Sequence, residues 1–283
     1  MKSKHTFIDL FAGCGGLSLG MEQAGFFPLY VNELNKDALE TYLINREDEY
    51  PHLRDPRFHS QDIKNCISNK FFKNLKLDLK EEFGSSEVDV VCGGPPCQGF
   101  SGIGIRRSYS VDKEQLPSNH LFQDMSYFVH KMQPKIFLFE NVEGLLSAKW
   151  NKEGTKGEIF KEVLETFKRL KGYTIKYKLV HAKDYGVPQN RPRILIVGIK
   201  SKIFKGDSSE IDAVKGGFLP EVIGSYPHLQ DVFSDIIDSK FEYGGETKTY
   251  PSEPKTFWQK EIRTTPKGVI LGKGEAMTEQ EYS

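Results

Sequence analysis

The chain has 283 residues, 38% of them hydrophobic and 12% aromatic, enough apolar side chain for the core of one large domain or of a domain with an appendage. Lys plus Arg and Asp plus Glu both number 39, so the formal charge is zero. That balance argues against a protein that coats nucleic acid non-specifically, but it leaves room for a local basic cleft, since a few phosphate contacts need only a few side chains.

In chain order, TFIDLF (6–11) reads as a short apolar strand and GGLSLGMEQAG as a helix closed by Gly25. PLYVNE (28–33) is a second strand. NKDALETYLINR (35–46) is a helix with Asn35 as N-cap and Ala38, Leu39, Tyr42 and Leu43 on one face. VDVVC (88–92) lacks alternation, as a strand buried on both faces should. LFQDMSYFVHKM (121–132) places Leu121, Met125, Phe128, Val129 and Met132 on one helical stripe, and KIFLFENV (135–142) is another buried strand. GEIFKEVLETFKRL (157–170) is an amphipathic helix with Ile159, Phe160, Val163, Leu164 and Phe167 inward; the strands YTIKYKLVHA and RILIVGIK close the series. Alternating strands and helices predict a doubly wound, mostly parallel α/β sheet over residues 1–200. Residues 201–283 are polar and rich in Gly, Ser, Pro and charge, with an apolar pattern only in EVIGSYPHLQDVFSDII, so a loosely folded or partner-dependent segment is expected there.

The four cysteines, Cys14, Cys66, Cys92 and Cys97, match no zinc spacing. Free thiols, the lack of an apolar leader in MKSKHTFIDLFAG and the lack of any membrane-length apolar run predict an intracellular protein without a membrane anchor.

FIDLFAGCGGLS is a strand, a glycine turn and a helix. Gly13, Gly15 and Gly16 let the backbone turn sharply and approach a ligand. A dinucleotide fingerprint would place glycine at 18, where Ser18 stands. Glu33 ends the second strand, where a carboxylate can accept from two ribose hydroxyls. Asp62, in QDIK after an expected third strand, can accept from an adenine amino group. An adenosine ligand without pyrophosphate fits better than NAD, and S-adenosylmethionine is the common candidate; the alternative is a glycine turn that only packs strand on helix.

GGPPCQGFS (93–101) follows the buried strand. Pro95 and Pro96 fix two φ angles and remove two N–H donors, so Cys97 sits in a stiff loop where open α/β sheets bind ligands. A cysteine there is poised as a nucleophile if its thiolate is favoured, whereas Cys14, Cys66 and Cys92 read as small buried apolar residues. Glu140, in FLFENVEGL, has Leu138 and Phe139 beside it; a carboxyl in such surroundings holds its proton more tightly and suits a proton donor, or else it caps a helix or joins a salt bridge. Arg191 and Arg193, alternate residues in PQNRPRI, point the same way on an extended backbone, as a paired site or a solvated face.

FIDLFAGCGG, VNE, GGPPCQGFS, ENV and QNRPR, in this order, resemble the cytosine-5 DNA methyltransferase family over about residues 5–200. The resemblance implies the Rossmann-like fold of S-adenosylmethionine-dependent methyltransferases and DNA as partner. It implies that Cys97 attacks carbon 6 of a flipped cytosine, that Glu140 serves ring nitrogen 3, that Arg193 contacts the base oxygen and that Arg191 holds phosphate. Phe11 would stack near adenine, Glu33 would take the ribose, Asp62 the amino group, and Pro96 and Leu121 would line the pocket. The loop 101–120, with Arg106 and Arg107, is expected to close over DNA or to be an ordinary polar loop.

Relatives continue into a recognition region with RLQ-FP-like and QxGN-like blocks, and neither occurs in residues 200–283. The expectation is therefore a catalytic subunit needing a second chain, a truncated product, or an inert protein. An RNA cytosine-5 methyltransferase and a non-catalytic DNA-binding remnant of the fold are the competing functions.

Overall fold

The structure, a computed structural model, describes residues 5–96, 117–224, 227–237 and 250–262. The chain divides into two compact units, one of Met1–Val180 with Pro192–Glu221 and one of His181–Arg191 with Val222–Ser283.

The first unit carries a seven-stranded sheet of β1 (Thr6–Leu10), β2 (Phe27–Asn32), β3 (His59–Ser60), β4 (Val90–Gly93), β5 (Ile136–Val142), β6 (Tyr173–His181) and β7 (Pro192–Lys200), in the order β3-β2-β1-β4-β5-β7-β6. Pairing from β3 through β5 is parallel, while β7 runs antiparallel to β5, with Glu140 opposite Leu195 and Val142 opposite Arg193. The order reverses direction at β1, so a crevice opens between the ends of β1 and β4.

Helices α1 (Gly16–Gln23), α2 (Lys36–Ile44), α3 (Asn69–Phe83), α4 (Leu121–Met132) and α5 (Glu158–Lys168) cover the sheet. Ile8 and Leu10 join one core with Phe72 of α3, Phe128 of α4 and Phe167 of α5. Phe7, the intervening residue, joins another with Cys92, Leu17 and Met21. Both sheet faces are thus buried, which is why these strands lack alternation. Asn35 caps α2 as expected, its side chain accepting from Asp37 N and Ala38 N.

Three features differ from expectation. Helix α3 forms where no element is expected, with 15 residues, Ser68 as N-cap, Phe72, Leu75 and Leu79 buried, and Gly84 left-handed at its end. The polar stretch 205–217, expected to be loose, is clasped to β6 by Lys176, which is fully buried. Its ammonium donates to the carbonyls of Asp207 and Glu210 and lies 5.3 Å and 5.2 Å from the rings of Phe204 and Phe218. Cys14, read as a buried apolar residue, is exposed, while Cys66 and Cys92 are buried as expected; burial pushes both of those thiols up.

In the second unit, α6 (Leu229–Phe233) falls in the apolar pattern, and α7 (Phe257–Ile262) was not anticipated. Buried Gln259 accepts from Lys255 N and Thr256 N and donates to Ser234 Oγ at 2.9 Å, so it ties the two short helices together. Among the described residues no helix is long and apolar enough to cross a membrane.

Candidate active site

The glycine turn is built from left-handed backbone, with φ of 60° at Phe11, 57° at Gly13 and 95° at Gly15. Ala12 N donates to Asn32 O at 3.0 Å, which ties the turn to the end of β2. Gly13 N donates to Glu33 Oε2 at 2.8 Å, and Asn35 N donates to Glu33 Oε1 at 2.7 Å. Each carboxylate oxygen thus accepts one backbone hydrogen and keeps capacity for another donor.

Gly15 is there for packing. A Cβ would stand 2.6 Å from Tyr42 Cδ2 and 2.7 Å from Arg46 Nη1, while the space beside Gly13 is open. Arg46, 6% exposed, donates from Nη2 to Gly15 O at 3.0 Å and from Nε to Glu22 Oε1 at 2.6 Å. Beneath the turn, Ser18 Oγ donates to Asp9 Oδ2 at 2.6 Å and lies 2.9 Å from Tyr42 Oη. Burial pushes the Asp9 carboxyl up to about 7, against the Ser18 hydrogen bond and the Arg46 charge.

Asp62 follows β3, and its Oδ1 accepts from Lys64 N at 2.9 Å. Five residues singled out from the sequence, Phe11, Glu33, Asp62, Pro96 and Leu121, line one cavity of about 440 Å³, joined by Asn32, Gln61 and Ile63. Gly13 and Gly15 are not part of this lining. The donor set suits a nucleoside: one aromatic ring, an apolar wall of Ile63, Pro96 and Leu121, and carboxylates at two adjacent strand ends.

The other half of the site follows β4 and β5. A Cβ on Gly93 would stand 2.7 Å from Leu10 O, and one on Gly94 would stand 2.8 Å from Glu140 Oε2. Gly93 is therefore required by close approach to backbone, while a side chain at Gly94 would have to displace the Glu140 carboxylate. Asn141, 4% exposed, donates from Nδ2 to Pro95 O at 3.0 Å and so holds the stiff loop against β5. Glu140 is the first residue past the parallel ladder with β4. Its Oε1 accepts from Arg193 Nε at 2.5 Å, diagonally across the β5–β7 pair. The side chains are 29% and 19% exposed, so the carboxylate is ion-paired and half-buried rather than enclosed by apolar neighbours.

The predicted arginine pair is divided. Arg193 belongs to the first unit and Arg191 to the second, where Arg191 O accepts from Ala182 N at 3.2 Å. Cys97 and the loop bearing Arg106 and Arg107 lie outside the described residues. Gly94, Asn141, Asn32 and Arg46 were not anticipated as parts of the site. Gly94 and Asn141 sit inside quoted motifs, but their contacts span strands distant in sequence. Among the described residues no group of three or more His, Cys, Asp or Glu could hold a metal ion.

A parallel sheet with a glycine turn at its reversal point, a nucleoside-sized cavity and an antiparallel penultimate strand is the Rossmann-like fold of S-adenosylmethionine-dependent methyltransferases. A profile of the C-5 cytosine-specific DNA methylase family matches residues 5–274, and the chain belongs to that family. The match runs well past residue 200, where the motif resemblance stops. Type II methyltransferase M1.HphI of Haemophilus parahaemolyticus is 39% identical over 196 residues, 69% of this chain and 46% of the relative. Type II methyltransferase M.DdeI of Desulfomicrobium norvegicum is 33% identical over 264 residues, 91% of this chain and 54% of the relative. The chain thus spans about half the length of these curated relatives. A crystal structure of a candidate DNA modification methyltransferase encoded within an E. coli prophage superposes with a TM-score of 0.60 at 29% identity, covering 93% of this chain and 65% of that one.

Proposed function

We propose that these residues are the cofactor-binding and catalytic portion of a DNA (cytosine-5-)-methyltransferase of the restriction–modification type. The observation that carries the reading is the single cavity at the strand ends where Phe11, Glu33, Asp62, Pro96 and Leu121 meet. When bound there, S-adenosylmethionine would supply an electrophilic methyl group on a sulfonium. Phe11 would give its ring to the adenine, Glu33 its remaining acceptor capacity to the ribose, and Asp62 its Oδ2 to the amino group, while Gly13 and Gly15 set the turn.

Cys97 would attack carbon 6 of a cytosine swung out of the duplex, forming a C–S bond and moving the 5,6 double-bond electrons toward carbon 5, which then takes the methyl group. Glu140 would relieve charge at nitrogen 3 by hydrogen bonding or protonation. Loss of the carbon 5 proton would return the C–S electrons to sulfur. Arg193, already paired with Glu140, would contact the base oxygen, and Arg191 would hold phosphate. Asn141 would hold the loop that carries the thiol.

Target recognition would come from a second subunit that carries the missing blocks; the absence of RLQ-FP-like and QxGN-like blocks from residues 200–283 supports this. The test is transfer of labelled methyl to duplex DNA and trapping on 5-fluorocytosine DNA. The wild-type chain should form the covalent adduct, with methylation rising when the missing region is supplied. Cys97→Ser should lose turnover by at least about 1,000-fold while retaining cofactor. A fully active Cys97→Ser enzyme would refute the chemistry, and robust site-specific methylation by this chain alone would refute the need for a further region.

A further inference from the structure

Strand β3 is only two residues long, pairing Val31 with His59 and Asn32 with Ser60. So short a ladder cannot by itself fix the peptide that follows it, Gln61–Asp62. Glu33 N extends the backbone hold by donating to Ser60 O at 3.0 Å, and a part-buried side-chain network carries it on to Gln61. Asn32 is 1% exposed yet lines the cavity. Its amide donates to Gln61 O at 2.8 Å and to Ser60 Oγ at 2.9 Å, so both of its hydrogens are committed to the neighbouring strand. Tyr30 Oη donates to the same Ser60 hydroxyl at 2.5 Å, and Cys66 Sγ lies 3.0 Å from Ser60 Oγ and 3.6 Å from Asp62 O. Asp62 in turn spends Oδ1 on Lys64 N, which leaves Oδ2 for a ligand.

From this network we infer that Asn32 is a positioning residue for purine selectivity. By holding the Gln61–Asp62 peptide through the Gln61 carbonyl it fixes where Asp62 presents its carboxylate, and so favours a 6-amino purine over a 6-oxo purine. Asp62 is exposed in the chain itself, so the discrimination arises when a bound purine covers the carboxylate: a 6-amino group pairs with it, and a 6-oxo group leaves the covered acceptor unpaired. The inference rests on the reading of the cavity as an adenosine site and adds a determinant that Asp62 alone does not contain.

The experiment compares binding of S-adenosylhomocysteine and S-inosylhomocysteine, which differ in the purine 6-substituent, to the full chain by calorimetry. Wild type should prefer the adenosyl compound by at least about tenfold. Asn32→Asp puts an acceptor against the Gln61 carbonyl, and Asn32→Ser shortens the reach. In both, adenosyl affinity should fall by about 10- to 100-fold and inosyl affinity by less than about threefold, so the preference collapses. Glu33→Gln should weaken both ligands alike and leave the preference standing. If Asn32→Asp does not fold, Asn32→Ser decides, with a thermal melt to show that it folds. Retention of the wild-type preference in the folded Asn32 variants overturns the inference, whether or not both affinities drop together. A wild-type chain that binds neither ligand or shows no preference, or an Asp62→Ala variant that keeps the preference, removes the adenosine reading itself and this inference with it.

Discussion

Glu33 and Glu140 both stand at carboxyl ends of strands in one sheet, but the chain holds them by different means. Glu33 accepts from two backbone N–H groups, one 2 residues away and one 20. Glu140 accepts from a guanidinium 53 residues away on an antiparallel strand. Backbone donors stay with the turn whatever ligand is present, so the β1–β3 side of the site is preformed. A side-chain ion pair can be shared with or surrendered to a ligand, so the β4–β5–β7 side is adjustable. The first arrangement suits binding, the second a group that must change its hydrogen bonds during a reaction.

The sharpest way to break this contrast is Glu140→Gln. It should lower methyl transfer by roughly 100- to 10,000-fold while cofactor affinity, measured by calorimetry, stays within about threefold. Equal losses in both would mean that the two halves are not separable.

The next test addresses what supports the preformed half. The Asp9 carboxyl has its folded value raised from 3.8 to about 7, so between these pH values the native state binds the proton that the unfolded chain has released. The stability this group contributes is present at pH 4 and lost as pH rises through about 7, a change of order 4 kcal/mol. Asp9→Asn should flatten the pH dependence of urea unfolding across that window; an unchanged slope would show that Asp9 does not govern it.

Gly15→Ala should destabilise the fold by about 3 kcal/mol, since it combines a left-handed backbone with a clash against Tyr42 and Arg46. That would lower the melting temperature by roughly 6 to 12 °C. Gly13→Ala, with open space beside it, should cost less than half as much. The smallest effect belongs to Glu33→Gln, expected to weaken cofactor binding about tenfold with the rate at saturating cofactor little changed.

The same contrast decides what could be read from the sequence. Most strands and helices of the sheet were legible because their apolar periodicity is local. Asn35 as a cap, and Glu33 and Asp62 at strand ends, were legible because short-range geometry places them. Helix α3 carried readable signals in Ser68, the stripe Phe72, Leu75 and Leu79, and Gly84, but Lys70, Lys73, Lys76 and Lys80 give it a polar surface that hides the stripe. The Glu140–Arg193 pair depends on β7 inserting antiparallel between β5 and β6, which no local pattern announces. Buried Arg46 and Lys176 read as solvated charges until their carbonyl partners are known. Cys14 lies between two left-handed glycines, and it is this turn that leaves it at the surface.

One consequence follows from Phe11. A phenylalanine at φ 60° carries a backbone penalty of about 1 to 2 kcal/mol that glycine would not. Its ring nevertheless lines the cavity. Directed selection at this position would therefore split by criterion: libraries sorted for heat resistance should drift toward glycine, and libraries sorted for ligand retention should keep the aromatic. The residue records a compromise in which the chain tolerates a tense main chain so that a flat hydrophobic surface lines the cavity.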